Sequence, residues 1–554
     1  MAAASVAELE SVSQPMDSHV GWRPRVNPWI VALTVTLATF MEVLDSSIAN
    51  VSLPHIAGGL GSTQDEATWV ITAYLVANAI ILPAGAYMTT FIGRKKFYMI
   101  CVLLFGISSM MCGMAPSLPM LIFFRVLQGI GGGGLAPSEQ SILADTFPPN
   151  KRGQAFALYG LAVVCAPAIG PTLGGYITDN FNWRWIFFLN VPVCLLSLFL
   201  TSRIVEDPPW IEKEVKESQK GGIKLDLMGF ALLALTFGSL EFVLDKGQED
   251  DWFASHVITL FAVACVVAFV LMIWWELRQL RVGHRPILNL TLFKRRSFAI
   301  SFTLMFVLGF ALYGTTILIP QFVQTLLGYT AELSGKVLSP AGFMMMAMMP
   351  IVGFLSGKVD ARKLIGYGFF MLTAALLYMG KMNLGLSYGE LVFMRCFQAS
   401  GLAFLFIPIN TISYIGVKQT ESNDVSGLMN LARNIGGSSG TAFMATMLIR
   451  RTAAHETSIV RNMHAGSLAF TRQVTALAGM FKRGNGAGVT GGAFGGASVG
   501  AIHQAQAFLY NQMHRQAAML AYIDIIRYLT IFCACMIPVL FFIPKPPKGM
   551  HVGH

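Results

Sequence analysis

The sequence predicts an all-α membrane protein with many transmembrane helices. Hydrophobic residues make up 54% of the 554 residues and charged residues only 12%, about half the charged fraction of a typical soluble domain. Apolar segments recur along the chain, each long enough to cross the roughly 30 Å of hydrocarbon that about 20 helical residues span. No period-two alternation accompanies them, and a backbone in lipid must satisfy its own hydrogen bonds, so helices are expected. This composition excludes a soluble multidomain enzyme, a disordered scaffold and a nucleic-acid-binding protein.

The apolar segments number fourteen. They lie near residues 29–51, 67–91, 97–115, 118–142, 154–178, 185–203, 226–245, 254–276, 297–320, 333–357, 363–380, 389–413, 427–449 and 521–543. The chain then divides into a polar tail (1–27), a first half of six helices (28–204), a loop with two inserted helices (205–280), a second half of six helices (281–544) and a second tail (545–554). The N-terminal tail lacks the charged-then-apolar pattern of a signal peptide.

The loops between spans predict the orientation. One set is rich in lysine and arginine, for example Arg94-Lys95-Lys96, whereas the short loops of the opposite set carry only Arg184, Lys246, Lys336 and Lys381. Because basic loops stay in the cytoplasm, both termini are expected there. The net charge of +10 therefore reflects membrane orientation.

Short motifs repeat between the two halves. Leu60-Gly61-Ser62-Thr63 precedes the second span and Leu327-Gly328-Tyr329-Thr330 precedes the tenth, an offset in residue number of 328 − 61 = 267. Arg125-Val-Leu-Gln128 recurs as Arg395-Cys-Phe-Gln398 at an offset of 270. The pattern predicts a 6 + 2 + 6 arrangement with parallel halves, typical of transporters that rock around a midplane site.

Ionisable residues inside predicted spans are costly and mark functional sites by default, and the strongest candidates are Glu42, Asp45 and Arg125, with Arg395 and Arg433 as weaker ones. Glu42 and Asp45 stand three residues apart on one helix face of the first span, and two close carboxylates favour one held proton. Arg125, at a similar depth in the fourth span, needs an anion or carbonyls. These residues form either a proton-coupling site or structural hydrogen bonds to neighbouring helices. Glu139 and Glu241 lie nearer span ends and are expected to be wetted.

Other spans carry packing and cavity candidates. The glycines of Gly129–Gly134 match GxGxxG but stand inside an apolar helix, so they indicate helix packing. Gly170, Pro171, Gly174 and Gly175 in the fifth span predict a kinked, closely packed helix. The candidate cavity residues are Arg395, Arg433, Met345 and Met346. The eight cysteines show no metal-ligand spacing and no Walker A sequence occurs, so no cofactor is expected.

Several of these stretches together resemble the major facilitator superfamily, and within it the fourteen-span drug:proton antiporters of the EmrB-type multidrug efflux pumps. They are Leu44–Val51, Arg125–Gly129, Gly170–Gly175, Trp183–Pro192, Leu244–Gly247, Asp251–Phe253 and Asn430–Arg433. The resemblance implies the major facilitator fold, with Asp45 as the first-span acid and Arg125 as the fourth-span arginine of the family.

One loop departs from the family pattern, which has an acid and an arginine where Thr90 and Phe91 stand. The charge clamp of the cytoplasmic gate is therefore incomplete. The expected gate residues are Gly93, Arg94 and Lys95 in the first half and, as replacements for the missing charges, Asp360 and Arg362 in the second.

The expected function is proton-driven multidrug efflux across the cell inner membrane by alternating access, which would confer antibiotic resistance. An alternative is an exporter of one specific substrate, such as a fatty acid or a siderophore. A membrane-embedded enzyme or a channel is a remote alternative, since neither a cluster of catalytic groups nor a continuous polar stripe occurs in the sequence.

Residues 450–520 are expected to form a long periplasmic loop, far longer than common helix connections. Two flanks, Ser458–Phe481 and Ile502–Ala518, surround a Gly-rich centre and predict amphipathic helices. The loop is either an untethered segment or a docking surface. The resemblance implies the latter, with a periplasmic adaptor and an outer-membrane channel as partners.

Overall fold

The computed structural model describes residues 24–148, 150–220, 226–418, 421–461, 467–484 and 499–543. These residues are helical throughout, and no strand occurs among them, as the composition predicts. The helices are α1 (Pro28–Leu60), α2 (Gln64–Ile92), α3 (Arg94–Met114), α4 (Leu118–Gly133), α5 (Leu135–Thr146), α6 (Arg152–Asn180), α7 (Trp185–Phe188), α8 (Asn190–Ile204), α9 (Pro209–Lys220), α10 (Leu227–Lys246), α11 (His256–Val282), α12 (Arg296–Thr325), α13 (Ala331–Ser356), α14 (Ala361–Met379), α15 (Tyr388–Ser413), α16 (Ser422–Val460), α17 (Leu468–Gly484), α18 (Val499–Ala534) and α19 (Met536–Val539). Short 3-10 turns lie at Trp252–Ala254, Leu290–Lys294 and Leu540–Phe542.

Eleven helical segments of the described chain are long and apolar enough to cross a membrane. The bent helix α6, whose parts Arg152–Pro167 and Thr172–Asn180 meet at 43°, raises this number to twelve. The two remaining predicted spans coincide with α14 and α16, which are not among the apolar helices. The fourteen-span count therefore stays a prediction.

The helix starts repeat with the offset that the motifs predict. The first residue numbers of α12, α13 and α14 exceed those of α1, α2 and α3 by 268, 267 and 267 (296 − 28, 331 − 64, 361 − 94), and that of α15 exceeds that of α4 by 270 (388 − 118). Thr63 and Thr330 both cap the following helix, after Gly61 and Gly328 with φ of 65° and 73°. Packing repeats as well, because α1 contacts α6 as α12 contacts α16, and α2 contacts α4 as α13 contacts α15. The two halves thus share one helix arrangement.

The inserted hairpin of α10 and α11 lies against both halves through α10. Ser438 of α16 donates a 2.5 Å hydrogen bond to Glu241, and Thr72 of α2 donates to Asp245. Helix α11 packs mainly on α10 and is only 17% buried in its most apolar window. Helix α11 therefore forms the outer layer of the hairpin, facing lipid.

A helical projection, here called the outer stalk, consists of the end of α16 (residues 450–460), α17 and the start of α18 (residues 499–520). The predicted loop boundary at 450 falls inside α16, which continues to Val460. Apolar side chains join α17 to α18, including Val474, Ala478 and Leu509. An ion pair of Arg451 with Asp524 at 2.6 Å and a hydrogen bond between His455 and Asp524 at 2.8 Å join α16 to α18. Of the Gly-rich centre, 485–498 lie outside the described residues.

Candidate functional site

A buried ion pair lies in the first half, between α1 and α4. Arg125 Nη1 donates to Asp45 Oδ2 at 2.6 Å, with Arg125 0% and Asp45 2% exposed. The same guanidinium donates to Gln128 at 2.8 Å and, through Nε, to the Val70 carbonyl at 3.0 Å. Arg125, expected to need an anion or carbonyls, has both in the structure, the Asp45 carboxylate and the Val70 carbonyl.

Neighbouring helices fix both members of this pair. Asn190 at the start of α8 donates to Asp45 Oδ1 at 2.6 Å and to Ser109 of α3 at 2.8 Å. The Arg125 guanidinium lies 4.3 Å from the centre of the Tyr74 ring, a cation–π contact. The sequence analysis did not single out Asn190, although its place in the Trp183–Pro192 motif was a signal.

Glu42, one turn along α1 from Asp45, has a separate set of partners. Tyr74 and Asn78 of α2 each donate to Glu42 Oε1 at 3.1 Å. The side chain of Glu42 packs against Gly132, because a Cβ added at Gly132 would lie 3.3 Å from Glu42 Cγ. Glu42 is half-buried. The two acids share a helix face, but each has its own hydrogen-bond partners.

The expectation that Glu139 and Glu241 are wetted was wrong. Glu139 is 0% and Glu241 4% exposed. The distance of each glutamate from its span end, counted in residues, does not show which helices cover it. Helix α5, which carries Glu139, lies between α1 and α16, and α10, which carries Glu241, lies against α16.

The glycines of the first half allow close helix contact. An added Cβ at Gly129 would lie 2.5 Å from the Tyr74 carbonyl oxygen and one at Gly131 2.6 Å from the Phe105 nitrogen. On α6, a Cβ at Gly170 would lie 2.3 Å from Ser47 Oγ and one at Gly174 3.1 Å from Ile48, both on α1.

The fifth-span motif contains two further residues, Gly175 and Pro171. Gly175 has nothing within 4 Å of an added Cβ, so it does not take part in this packing. The side chain of Pro171 lies outside the described residues. Gly170 and Gly174 are therefore the members of the motif that bring α1 and α6 together.

The predicted gate residues of the first half lie at the end of the bundle that carries the basic loops, here called the basic end. Arg94 is buried and forms an ion pair with Asp145, which also accepts a 3.2 Å hydrogen bond from Ser422 of α16. Asp145 therefore connects Arg94 in one half to Ser422 in the other. Its role was not foreseen, because nothing in the sequence distinguishes it from a loop acid.

Gly93 and Lys95 contact the loop after α8. Gly93 has φ of 89°, and Asp207 accepts a 3.0 Å hydrogen bond from the backbone N–H of Lys95. Lys95 Nζ donates to the Ser202 carbonyl at 2.8 Å. Burial raises the pKa of Asp207, while the N–H of Lys95 and the charge of Arg94 act in the opposite direction. These residues fix α3 to α8 within the first half.

Asp360 and Arg362 form a local contact. Asp360 caps α14 by accepting from the Arg362 N–H at 3.0 Å, and their side chains are 3.9 Å apart. Both contacts stay within the first turn of α14 and do not reach the first half. In this conformation they do not replace the missing charge clamp.

Other polar side chains join the two halves near the basic end. Asn423 of α16 donates to Thr89 of α2 at 2.7 Å. Asn430 of α16 donates to Gln140 of α5 at 3.0 Å and accepts from Tyr159 of α6 at 3.0 Å. Arg433 donates to the same Tyr159 hydroxyl at 2.7 Å. Arg433 is thus part of a network of polar side chains between the two halves.

A cavity with about 650 Å³ of empty space, partly open, lies between α6 and the second half. Its lining is mostly apolar and includes Met345, Leu312 and Leu402, with Arg395 and Gln398 as polar members. Arg395 donates to Gln398 at 2.5 Å, as Arg125 does to Gln128 in the first half. Met346 lines a second cavity, together with Cys165 and Phe343. The first cavity has the mostly apolar lining with a few polar groups that is characteristic of small-molecule sites.

Comparisons with known proteins show which family the chain belongs to. The chain is 38% identical over 437 residues to the multidrug export protein EmrB of Escherichia coli strain K12, covering 78% of this chain and 83% of that protein. It is 36% identical over 434 residues to the fatty acid resistance protein FarB of Neisseria gonorrhoeae, with the same coverage. The solved structure of a double-tryptophan mutant of XylE matches in fold, with a TM-score of 0.56 and 14% identity over 95% of this chain and 98% of that one. The family model of the Major Facilitator Superfamily matches residues 35–441, and the chain belongs to that superfamily.

Proposed function

We propose that this protein is a proton-coupled exporter of amphipathic small molecules, a transporter and not an enzyme, that works by alternating access. The observation that carries the proposal is the buried Asp45–Arg125 pair beside the half-buried Glu42. Arginine keeps its proton in proteins, so only the acids of this group can gain or lose one. Proton binding to Asp45 removes the negative charge that holds Arg125 and frees the guanidinium to change partners.

The polar contacts between halves support an outward-facing conformation. The bonds of Ser422 to Asp145 and of Asn423 to Thr89 lie at the basic end, which the loop charges assign to the cytoplasm. Opening this end breaks these bonds. The proton enters from the outside at Asp45 and Glu42 and leaves to the cytoplasm in the inward-facing state.

The cavity of the second half supports an amphipathic substrate. Its mostly apolar lining suits a hydrophobic body, and Arg395 supplies a charged group in that wall. The name of the Escherichia coli relative points to varied drugs. Arg395 and the name of the Neisseria gonorrhoeae relative favour a second candidate, an exporter restricted to acids with a long apolar chain, such as fatty acids.

The outer stalk and the two loop sets support a placement and a partnership. The protein lies in the inner membrane of a double-membrane bacterium, with both termini in the cytoplasm. The stalk projects into the periplasm and docks a periplasmic adaptor that leads to an outer-membrane channel. Its folded α17–α18 contact and its ion pairs at Asp524 are more than a linker needs. No cofactor takes part, and the proton gradient is the energy source.

Vesicles with an imposed pH gradient test the proton coupling. The wild-type protein should accumulate a fluorescent amphipathic dye against its gradient, and Asp45→Asn should abolish this accumulation. Asp179→Asn, on an exposed acid at the end of α6, is the matched control. Normal accumulation by Asp45→Asn vesicles would show that the acid is not part of the coupling.

Arg395→Gln separates the two substrate hypotheses. If the substrates are structurally varied, uptake of neutral and cationic dyes should stay within about twofold of wild type. If the substrates are long-chain acids, wild-type vesicles should transport oleate and not these dyes, and Arg395→Gln should reduce oleate uptake at least tenfold.

Deleting residues 462–498, which include all of α17, tests the partnership with the adaptor. Resistance of whole cells and crosslinking to the adaptor should both be lost, while uptake into isolated vesicles stays intact. If resistance and crosslinking survive, the stalk is not the docking surface. Loss of uptake in vesicles would instead assign the stalk to the fold of the transporter.

A further inference from the structure

Glu139 on α5 is a completely buried carboxyl group with an incomplete set of partners. Thr36 of α1 donates to Glu139 Oε1 at 2.6 Å. The other oxygen, Oε2, is buried and accepts no well-formed hydrogen bond among the described residues, although the Thr39 hydroxyl of α1 lies close to the Glu139 carboxyl group. No ion pair of Glu139 occurs in the described part of the chain either, in contrast to Asp45 and Asp145, which both face an arginine. A charged carboxylate in such a place is costly, and a bound proton removes the charge.

Two helices independently place Glu139 between Glu42 and the basic end. On α1, its partner Thr36 precedes Glu42 by six residues, about 9 Å at 1.5 Å per residue. On the other side, Glu42 lies against Gly132, and Glu139 follows Gly132 by seven residues across the break at Gly134. Both counts put Glu139 roughly 10 Å closer to the basic end than Glu42.

The titratable groups that face Glu139 are Glu42 on α1, Tyr98 on α3, Tyr159 on α6 and Arg433 on α16. Tyr98 donates to the Val35 carbonyl at 2.8 Å, and Arg433 donates to Tyr159. The two tyrosines and the arginine are therefore bonded elsewhere. Glu42 remains as the group that can exchange a proton with Glu139.

We propose that Glu139 is a second proton-binding group of the transporter, which takes the proton from Glu42 and delivers it to the cytoplasmic side. Protonated Glu42 and the Glu139 carboxylate become the Glu42 carboxylate and protonated Glu139, with the proton carried by water that enters when the basic end opens. Glu139 then releases the proton to the cytoplasm. The inference rests on the proton coupling proposed above, to which it adds the inner step.

Purified protein in lipid vesicles tests this step with two measurements on one fluorescent probe, ethidium. Exchange of ethidium at equal pH on both sides moves no net protons, whereas accumulation driven by an imposed pH gradient does. Glu139→Gln keeps the size of the side chain and the acceptor for Thr36 but binds no proton. We expect exchange within about twofold of wild type and gradient-driven accumulation reduced at least tenfold, with partial recovery in Glu139→Asp.

Glu212→Gln, on an exposed acid of α9, is the control and should match wild type in both measurements. Accumulation by Glu139→Gln within twofold of wild type overturns the proposal. Equal loss of exchange and accumulation in both Glu139→Gln and Glu139→Asp also overturns it, because Glu139 would then be needed for the fold alone. If wild-type protein exchanges ethidium but does not accumulate it, the proton coupling itself fails, independently of Glu139.

Discussion

Leu312 and Arg395 line one cavity between α6 and the second half, at the positions in the second half that correspond to Asp45 and Arg125 in the first. The offset from Asp45 to Leu312 is 312 − 45 = 267 and that from Arg125 to Arg395 is 270. Both arginines donate to a glutamine three residues later, but in the described part of the chain only Arg125 forms an ion pair with an acid. The first half therefore has the ion pair Asp45–Arg125, whereas the corresponding place in the second half is a cavity whose Arg395 forms no ion pair among the described residues.

Leu312→Asp should supply Arg395 with the missing partner and close the cavity to anions. We expect uptake of an anionic amphiphile such as oleate to fall at least tenfold if oleate is a substrate, because the introduced carboxylate repels it and occupies the guanidinium. Leu312→Asn, of equal size and no charge, is the control and should lose much less. Equal losses in the two variants would mean that the apolar contact of Leu312, and not the charge of Arg395, decides binding.

Asn190→Asp should shift the pH dependence of transport. Asn190 donates to Asp45 at 2.6 Å, and a carboxylate in its place would have to share a proton with Asp45. Because the extra negative charge makes proton loss harder, the pH profile of gradient-driven uptake should move to higher pH by about one unit or more. Asn180→Asp, at the exposed end of α6, should leave the profile in place. A profile that moves to lower pH in Asn190→Asp contradicts the assigned geometry.

Gly170→Ala should impair transport, whereas Gly175→Ala should not. The added methyl group at Gly170 would meet Ser47 Oγ at 2.3 Å, and the one at Gly175 would meet nothing within 4 Å. Helices α1 and α6 would have to separate, so we expect a lower melting temperature and at least a fivefold slower uptake for Gly170→Ala. Restoration by the second change Ser47→Gly would identify the clash as the cause. Equal behaviour of the two alanine variants would rule out close contact as the function of this motif.

Asp145→Asn should weaken the closure of the basic end, because it removes the charge of Asp145 and with it the buried ion pair between Asp145 and Arg94. Spin labels at the exposed residues Lys96 and Lys418, in a background without native cysteines, would report the distance between the halves. We expect a larger fraction of long distances than in wild type. Asp360→Asn changes only a local helix cap and should leave the distribution unaltered, whereas a shift there and none in Asp145→Asn would restore Asp360 as the gate residue.

The sequence was sufficient for those features that depend on local pattern. Apolar length predicts the helices, the repeated Leu-Gly-x-Thr motif predicts equivalent caps at Thr63 and Thr330, and charge in an apolar segment identifies Asp45 and Arg125. Features that depend on which helices meet were not accessible. Burial of Glu139 requires the contact of α5 with α1 and α16, and no spacing within α5 reveals it.

The same limitation explains why the sequence favoured Asp360 as a gate residue and missed Asp145. Asp360 stands at the repeat position of Gly93, so the motif offset favoured it, but it caps its own helix. Asp145 connects the halves because the end of α5 lies beside the start of α16, a tertiary contact between two segments that are far apart in the chain. Motifs and spacings in the sequence therefore cannot predict which residues form contacts between the two halves.

The length of α16 has a mechanical consequence. Its 39 residues extend about 58 Å at 1.5 Å per residue, roughly 28 Å more than the hydrocarbon core. The pairs of Arg451 and His455 with Asp524 bind this overhang to α18, the last long helix of the second half. A rigid rod anchored in one half amplifies the tilt of that half, so a rotation of about 15° displaces the far tip by roughly 10 Å. The position of the stalk tip therefore depends on the access state of the transporter. A molecule bound to the stalk outside the membrane moves with it and can respond to that state.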